Sequence, residues 1–342
     1  MSTTDAPDVH TRSSDQAPVE RQLRRLLGWV SPQTISVVYV WAALIVVFSF
    51  WIPSLFLRYA TATTILNENS VSALMALALV LPLSAGTYDL SIGSVMGLAG
   101  VIAGELLAGG AINPYVVIVL VLLISACIGA VNAFVVVVLG IDSFIGTLAT
   151  GSILAAVTLG VSNQQIITAG VAGRFSRFGT ISFHDIEIPL LYVLVIGAAM
   201  WWVLSRTVLG RRIYAVGFNP DAARLASISV NRIRAAPLVI SSLLSGLAGI
   251  VLCATTEAAD PSAGPSYLIP AFSAVFLGAT QFSSGRFNPW GTLVTVFMLG
   301  TGSVGLLLAG APQWSPQLFE GVILILAVAI TVRRGRRRAG SR

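Results

Sequence analysis

Lysine is absent from the sequence: all 20 basic residues are arginine. Charge of either sign is scarce, at 10% of 342 residues against 56% hydrophobic residues. A soluble domain of this length cannot cover its surface with so few charges. The composition, with mean hydropathy +0.87, therefore predicts an all-α polytopic membrane protein. Cysteine is nearly missing too. Cys127 and Cys253 both fall in apolar stretches, which argues against a disulfide framework or a metal site. There are two histidines, His10 and His184. The sequence has no GxxxxGK[ST] phosphate cradle, no HExxH and no nucleophile–base pairing. ATP hydrolysis by the chain itself is excluded by that route, and neither an enzyme activity nor a cofactor nor a metal is expected. The net charge of +6 is concentrated beside apolar stretches, where it serves topology and contact with anionic lipid. Nucleic-acid binding is not needed to explain it.

What is present is a series of apolar runs. A helix needs about 20 residues to cross a bilayer. On that criterion about ten spans are expected, near 36–57, 70–88, 91–109, 114–139, 143–161, 189–206, 236–256, 268–282, 290–309 and 318–332. Arginines set the direction. Arg21, Arg24 and Arg25 precede the first span, six arginines from Arg206 to Arg234 flank or fill 207–235, and Arg333 to Arg342 follow the last. The spans between these clusters are even in number, so both termini are expected in the cytoplasm. Residues 1–34 are polar, with a disordered stretch expected to about Pro18 and no cleavable signal peptide. Residues 35–333 form the transmembrane domain and 334–342 a basic cytoplasmic tail. The longest outer segment, 162–188, has room for a small folded feature, with Phe175, Phe178, Ile181 and Phe183 at the membrane surface or against a partner.

Several polar interruptions are candidates for function. In Gly86–Ser94, Asp89 and Ser91 lie in an apolar run, either of them able to cap a half-helix starting near Ile92. The segment suits a broken helix on a substrate path, marked by Asp89, Ser91 and Ser94. It suits equally a tight cytoplasmic turn before a capped helix. Asn132 and Glu105 are rare polar groups within spans, although Asn132 also suits interhelical glue and Glu105 a solvated outer position. Thr147, in Ile141–Ser152, offers a hydroxyl to a path or to a neighbouring helix, and Gly151 and Ser152 suit close packing. So does Ser245–Gly249. Residues 278–291 form a Gly/Ser/Pro-rich turn with Trp290 at interface depth.

The 207–235 loop is basic and polar. Within it, residues 219–228 have the signature of a short helix. Asn219 suits the N-cap, Pro220 the first helical position, and Asp221 places negative charge at the positive end of the dipole. A capped helix in the largest cytoplasmic loop of a membrane protein offers a surface to a soluble partner, and Ala223, small and mid-helix, is expected to fit that partner's groove.

In order along residues 35–335, Tyr88–Ser94, Phe144–Thr150, Leu209–Arg212, Ala215–Arg224 and Ser245–Gly249 together resemble the ribose/xylose/arabinose/galactoside-type permeases of bacterial ABC importers. The resemblance implies a plasma-membrane permease subunit for a monosaccharide or related polyol. Its implied partners are cytoplasmic ABC ATPases, an extracytoplasmic solute-binding protein and a second permease subunit. It also implies ATPase coupling through Gly217, Asn219, Pro220, Asp221, Ala222, Ala223 and Arg224. The chain departs from the family pattern at Ser227, where glycine is usual. It also departs at Tyr267–Ala274, which lacks the usual acid, and at Gly278–Arg286, which lacks a double glycine. A permease for nucleosides, branched-chain amino acids or a furanosyl signal molecule is the neighbouring reading. A secondary transporter would need more membrane-buried coupling charge than Asp89 and Glu105 supply.

Overall fold

A computed structural model describes residues 36–279 and 285–326. The expected N-terminal tail, the basic C-terminal tail and residues 280–284 of the expected turn lie outside the described residues.

The chain folds as a helical membrane protein. Six helices are long and apolar enough to cross a membrane. They are α3 (Tyr59–Ser84), α5 with its continuation (Pro114–Val138), α6 (Ser143–Val161), α8 (Ile188–Arg206), α11 (Val230–Thr256) and α13 (Pro289–Leu308). Shorter apolar helices stand at the other four expected positions. They are α1 (Ser36–Trp51), α4 (Ile92–Ala108), α12 (Leu268–Ala279) and α14 (Ser315–Leu326). The lone hairpin among the described residues, β1 (Ser182–Phe183) with β2 (Ile186–Glu187), joins the short α7 (Arg177–Thr180) to α8.

Three boundaries differ from the sequence expectation. The first span does not run on to 57. Pro53, which lacks an N–H and crowds the preceding turn, ends α1 and starts the one-turn α2 (Pro53–Phe56). The second begins at Tyr59 rather than 70. Its early turns are too polar to register as apolar, but Thr63, Asn69 and Ser70 bond back to carbonyls of their own helix. The seventh begins at Val230 rather than 236, continuing through Pro237.

The centre of the molecule is α11. It packs on α3, α4 and α5, and small residues bring the backbones together. A methyl group at Gly246 would collide with Ser125 of α5, and one at Gly249 with the Met96 carbonyl of α4. The packing role expected for Ser245–Gly249 is thus observed. One end of the bundle carries the segment 207–229 and is called here the basic end. The other carries the hairpin. There the Asn67 amide donates to the Asp185 carbonyl (2.9 Å) and its oxygen accepts from the Glu187 amide (3.0 Å). Tyr59 donates to the His184 carbonyl, and Ile167 pairs with Ala259 across an antiparallel bridge. Residues 162–188 therefore have the small folded feature expected of them, with Phe183 exposed and Phe175 buried rather than at a surface. Glu105 is exposed, one turn from the end of α4.

Candidate functional site

Between α3 and α4 the chain leaves the helix for residues 85–91. Thr87, Asp89 and Ser91 are buried there while Gly86 and Tyr88 are exposed. The chain turns at Ala85 and Gly86, alternates like an extended strand to Ser91 and resumes a helix at Ile92, which leaves both sequence readings of the segment, a broken helix and a turn before a helix start, in place. Extended backbone in a bundle must find partners for its amides, and α6 provides them. Its Ser143 Oγ accepts from the Tyr88 amide (3.0 Å) and its Thr147 Oγ1 from the Leu90 amide (3.0 Å). Gly151, one turn further, lets α6 lie against Ser91, its notional Cβ 3.3 Å from the Ser91 Cα. Asp142 holds the start of α6 by accepting from the Phe144 amide (3.0 Å).

Inside this connection a hydrogen-bonded chain runs from Asp89 to α5. Asp89 Oδ1 accepts from the Ser91 amide (3.1 Å) and hydroxyl (2.6 Å), and Ser91 Oγ accepts from the Asn132 amide (2.8 Å). Asp89 does not cap α4 itself; it takes the N–H of Ser91, closing an Asx turn at the positive end of the helix. Of the sequence-predicted path residues, the structure joins Asp89, Ser91 and Asn132 in one network and sets Thr147 against the same segment. Ser94, half-buried, faces Gly151. None of the five lines the small cavity of about 10 Å³ between α4, α11 and residues 258–264, where Met96, Gly100, Cys253 and Asp260 gather. That is room for one water. Residues 258–264 carry no motif, and sequence reasoning missed them.

The basic end carries a helix that the sequence reading also missed, α9 (Val208–Phe218), begun by Thr207 Oγ1 accepting from the Gly210 amide (3.2 Å). It leads into α10 (Pro220–Leu225), where Asn219 caps as expected, accepting from the amides of Asp221 (3.1 Å) and Ala222 (3.0 Å). The helix ends at Leu225, not Ile228. Ser227 sits in the left-handed region (φ 57°) and the Ile228 amide bonds back to the Ala223 carbonyl. That backbone closes a helix with a glycine elsewhere in the family pattern, and here a serine adopts it.

Ala223 is buried, 4% exposed, in the main core. It faces the chain's own body, so it is not the contact expected in a partner's groove. The exposed large apolar groups are Phe218 (91%) and Leu225 (89%), on either side of α10, with an exposed Asp221–Arg224 ion pair between them. An apolar, non-periodic position next to a cap was the signal for them.

These two regions meet. Gly217 of α9 lies directly on the connection, and a methyl group there would collide with the Ser84 carbonyl, the last residue of α3. Gly86, in the left-handed region (φ 74°), returns the contact, its notional Cβ 3.2 Å from the Gly217 Cα. Only glycine permits this approach. Nearby, Tyr214 donates to the Phe287 carbonyl (2.7 Å) with the Arg286 guanidinium over its ring. Burial pushes its phenol up, against the pull of Arg286, so Tyr214 stays a neutral donor.

Residues 61–328 match the family described as branched-chain amino acid transport system / permease component. The ribose import permease protein RbsC of Escherichia coli (strain K12) is 34% identical over 269 residues, covering 78% of this chain and 84% of the relative. The D-allose transport system permease protein AlsC of the same strain is 27% identical over 321 residues, 94% and 97% of the two chains. The autoinducer 2 import system permease protein LsrD of Salmonella paratyphi B is 29% identical over 260 residues, 75% and 78%. With the match extending from the first turn of α3 into α14, the chain belongs to this family of ABC import permeases, as a non-catalytic subunit embedded in the bacterial plasma membrane.

Proposed function

We propose that this subunit forms the membrane path for a monosaccharide or related polyol, and that hydrolysis of ATP by a separate subunit drives it. The observation that carries this reading is the direct backbone contact of Gly217 with Gly86 and Ser84. It ties the capped α10 segment to the connection that holds Asp89, Ser91, Asn132 and Thr147. A push on α10 reaches the polar connection through one rigid joint, without crossing the bilayer.

In this reading the chain crosses the membrane ten times with both termini in the cytoplasm. Residues 1–34 and 334–342 are tails around a transmembrane domain of 35–333, and 207–235 is the coupling loop. Two cytoplasmic ATPases dock at the basic end, an extracytoplasmic solute-binding protein at the hairpin end, and a second permease subunit completes the path. Gly217, Asn219, Pro220, Ala222 and Ala223 shape α10. Asp221 and Arg224 face the ATPase, with Phe218 and Leu225 as apolar anchors. Asp89, Ser91, Ser94, Asn132 and Thr147 form the inner wall of the path. The named cargoes of the ribose and allose relatives support a monosaccharide. The autoinducer 2 relative supports the second reading, a furanosyl signal molecule.

The test is uptake of labelled ribose, allose and autoinducer 2 into vesicles carrying the full complex. Leu225→Asp is expected to lower uptake and substrate-stimulated ATP hydrolysis at least about tenfold with normal insertion of the permease, as loss of a docking anchor does. Wild-type uptake and stimulation in Leu225→Asp and Phe218→Ser would overturn the coupling role. Transport of none of the three solutes would overturn the substrate class.

A further inference from the structure

α11 ends at Thr256, and Glu257, in the left-handed region (φ 51°), turns the chain back into the bundle. Glycines of α4 mark the course it takes. A methyl group at Gly104 would meet the Ala259 Cβ at 2.8 Å, Gly97 faces the Pro261 carbonyl and Gly264, and a methyl group at Gly264 would collide with the Gly93 carbonyl. From Gly104 to Gly93 is about 16 Å at the rise of an α-helix, about half the hydrocarbon thickness of a bilayer. At that depth α4 lies on α11, with the Met96 carbonyl against Gly249. Residues 257–264 are therefore a strap that re-enters from the hairpin end, and a 3₁₀ turn, Gly264–Tyr267, hands it to α12.

The strap dispenses with helical hydrogen bonds. Pro261 and Pro265 have no N–H to satisfy. The Ser262 amide donates to Asp260 Oδ1 (2.8 Å) and the Ala263 amide to the Asp260 carbonyl (3.3 Å). Ala259 and Gly264 are buried against α4, while Ser262, Pro265 and Ser266 are exposed and Asp260 is half-buried. Irregular backbone at membrane depth does not face lipid; it is either covered by protein or lines a water-filled cavity. A carboxylate and two hydroxyls on the open side are groups that hydrocarbon penalises.

We propose that residues 257–267 line the hairpin-end half of the transport path, and that Asp260, Ser262 and Ser266 accept hydrogen bonds there from a neutral polyhydroxy solute. Both serine protons are already committed. Ser262 Oγ donates to Asp260 Oδ1 (2.7 Å), and Ser266 Oγ donates to the Ala263 carbonyl (2.6 Å). Each hydroxyl has one proton, so both present only lone pairs to the path. Asp260 Oδ2, without a hydrogen bond among the described residues, is a third acceptor. A wall of acceptors complements a solute whose surface is O–H donors, and it disfavours one that carries carboxylate or phosphate. This site rests on the transport reading and extends it from the inner wall to the other half of the path.

The experiment uses the full complex in proteoliposomes, with the exposed Cys127 replaced by alanine and the buried Cys253 retained. Ser262→Cys and Ser266→Cys are exposed to a charged, membrane-impermeant methanethiosulfonate. Both are expected to react at least about tenfold faster than Ile153→Cys, on the open apolar face of α6, because the thiolate is the reacting form and needs water to ionise. Asp260→Asn keeps an acceptor for Ser262 at Oδ1 and can place an NH₂ donor where Oδ2 stood. It should lower uptake of labelled ribose at least about tenfold with normal insertion, as mismatched polar groups in a recognition site do. Reaction of both serine variants no faster than Ile153→Cys would overturn the proposal whatever the cargo, since the strap would then face lipid or a second subunit. Undiminished ribose uptake in Asp260→Asn would overturn the acceptor role. Fast labelling in a complex that takes up none of ribose, allose and autoinducer 2 would uphold the aqueous strap and count against the substrate class of the transport reading instead.

Discussion

At the scale of single residues, the chain is held by backbone groups that side chains must satisfy. Thr147 accepts the Leu90 amide and donates to the Ser143 carbonyl (2.7 Å). Thr147→Val keeps the shape and removes the acceptor, leaving a buried N–H unmatched. It is expected to cost about 1–3 kcal/mol, measured as a lower thermal midpoint in detergent. Gly217→Ala forces α9 away from the Ser84 carbonyl, at a cost of about 1–3 kcal/mol. It should reduce ATPase stimulation more than insertion, read as hydrolysis per inserted complex. Local chemistry of this kind was legible in the sequence when one residue carried it. Asn219 before Pro220 and Asp221 specifies a helix start wherever the chain goes, and it is found there. Asp89 was not legible in the same way. Whether its carboxylate lies in a turn or in an extended connection is decided by Ser143 and Thr147 of α6, more than fifty residues away.

Among the elements, helices whose apolar residues fill the bilayer were placed within a residue or two, and those whose ends carry polar residues were not. The first turns of α3 contain Thr61, Thr63, Asn67 and Asn69, which a hydropathy window discards. Burial by packing, rather than by lipid, makes them helical, since their polar groups bond to the helix itself, to the Leu55 carbonyl of α2 or to the hairpin. α9 escaped notice because its apolar stripe is short and interrupted by Arg211 and Arg212, and its burial depends on the 85–91 connection. The hairpin depends on α3 in the same manner. Asn67→Ala removes both side-chain bonds to it and is expected to speed amide exchange at residues 182–187 by about tenfold, with little change in the helices. For α10 the burial of Ala223 reverses the earlier expectation. Ala223→Arg should lower the stability of the isolated permease, as overpacking of a core position does, whereas Leu225→Asp should leave it within about 0.5 kcal/mol. Comparing the two thermal midpoints separates a folding defect from a docking defect.

For the molecule as a whole, the helical membrane class followed from charge scarcity alone, because no arrangement of 10% charged residues solvates a soluble surface of this size. The arrangement of the helices did not follow, since glycine and serine contacts decide it and their partners are distant in sequence. The consequence of one such arrangement reaches across the membrane. α11 is a single rod of 27 residues, about 40 Å at the rise of an α-helix. One end grows out of the segment that follows α10; the other hands the chain to Ala259, which is bridged to Ile167. Clasped at its middle by Ser125 and Met96 through Gly246 and Gly249, such a rod has a fulcrum. Displacing one tip of a rod held at such a point swings the other tip the opposite way, so the Ala259 end is geometrically tied to the segment that follows α10.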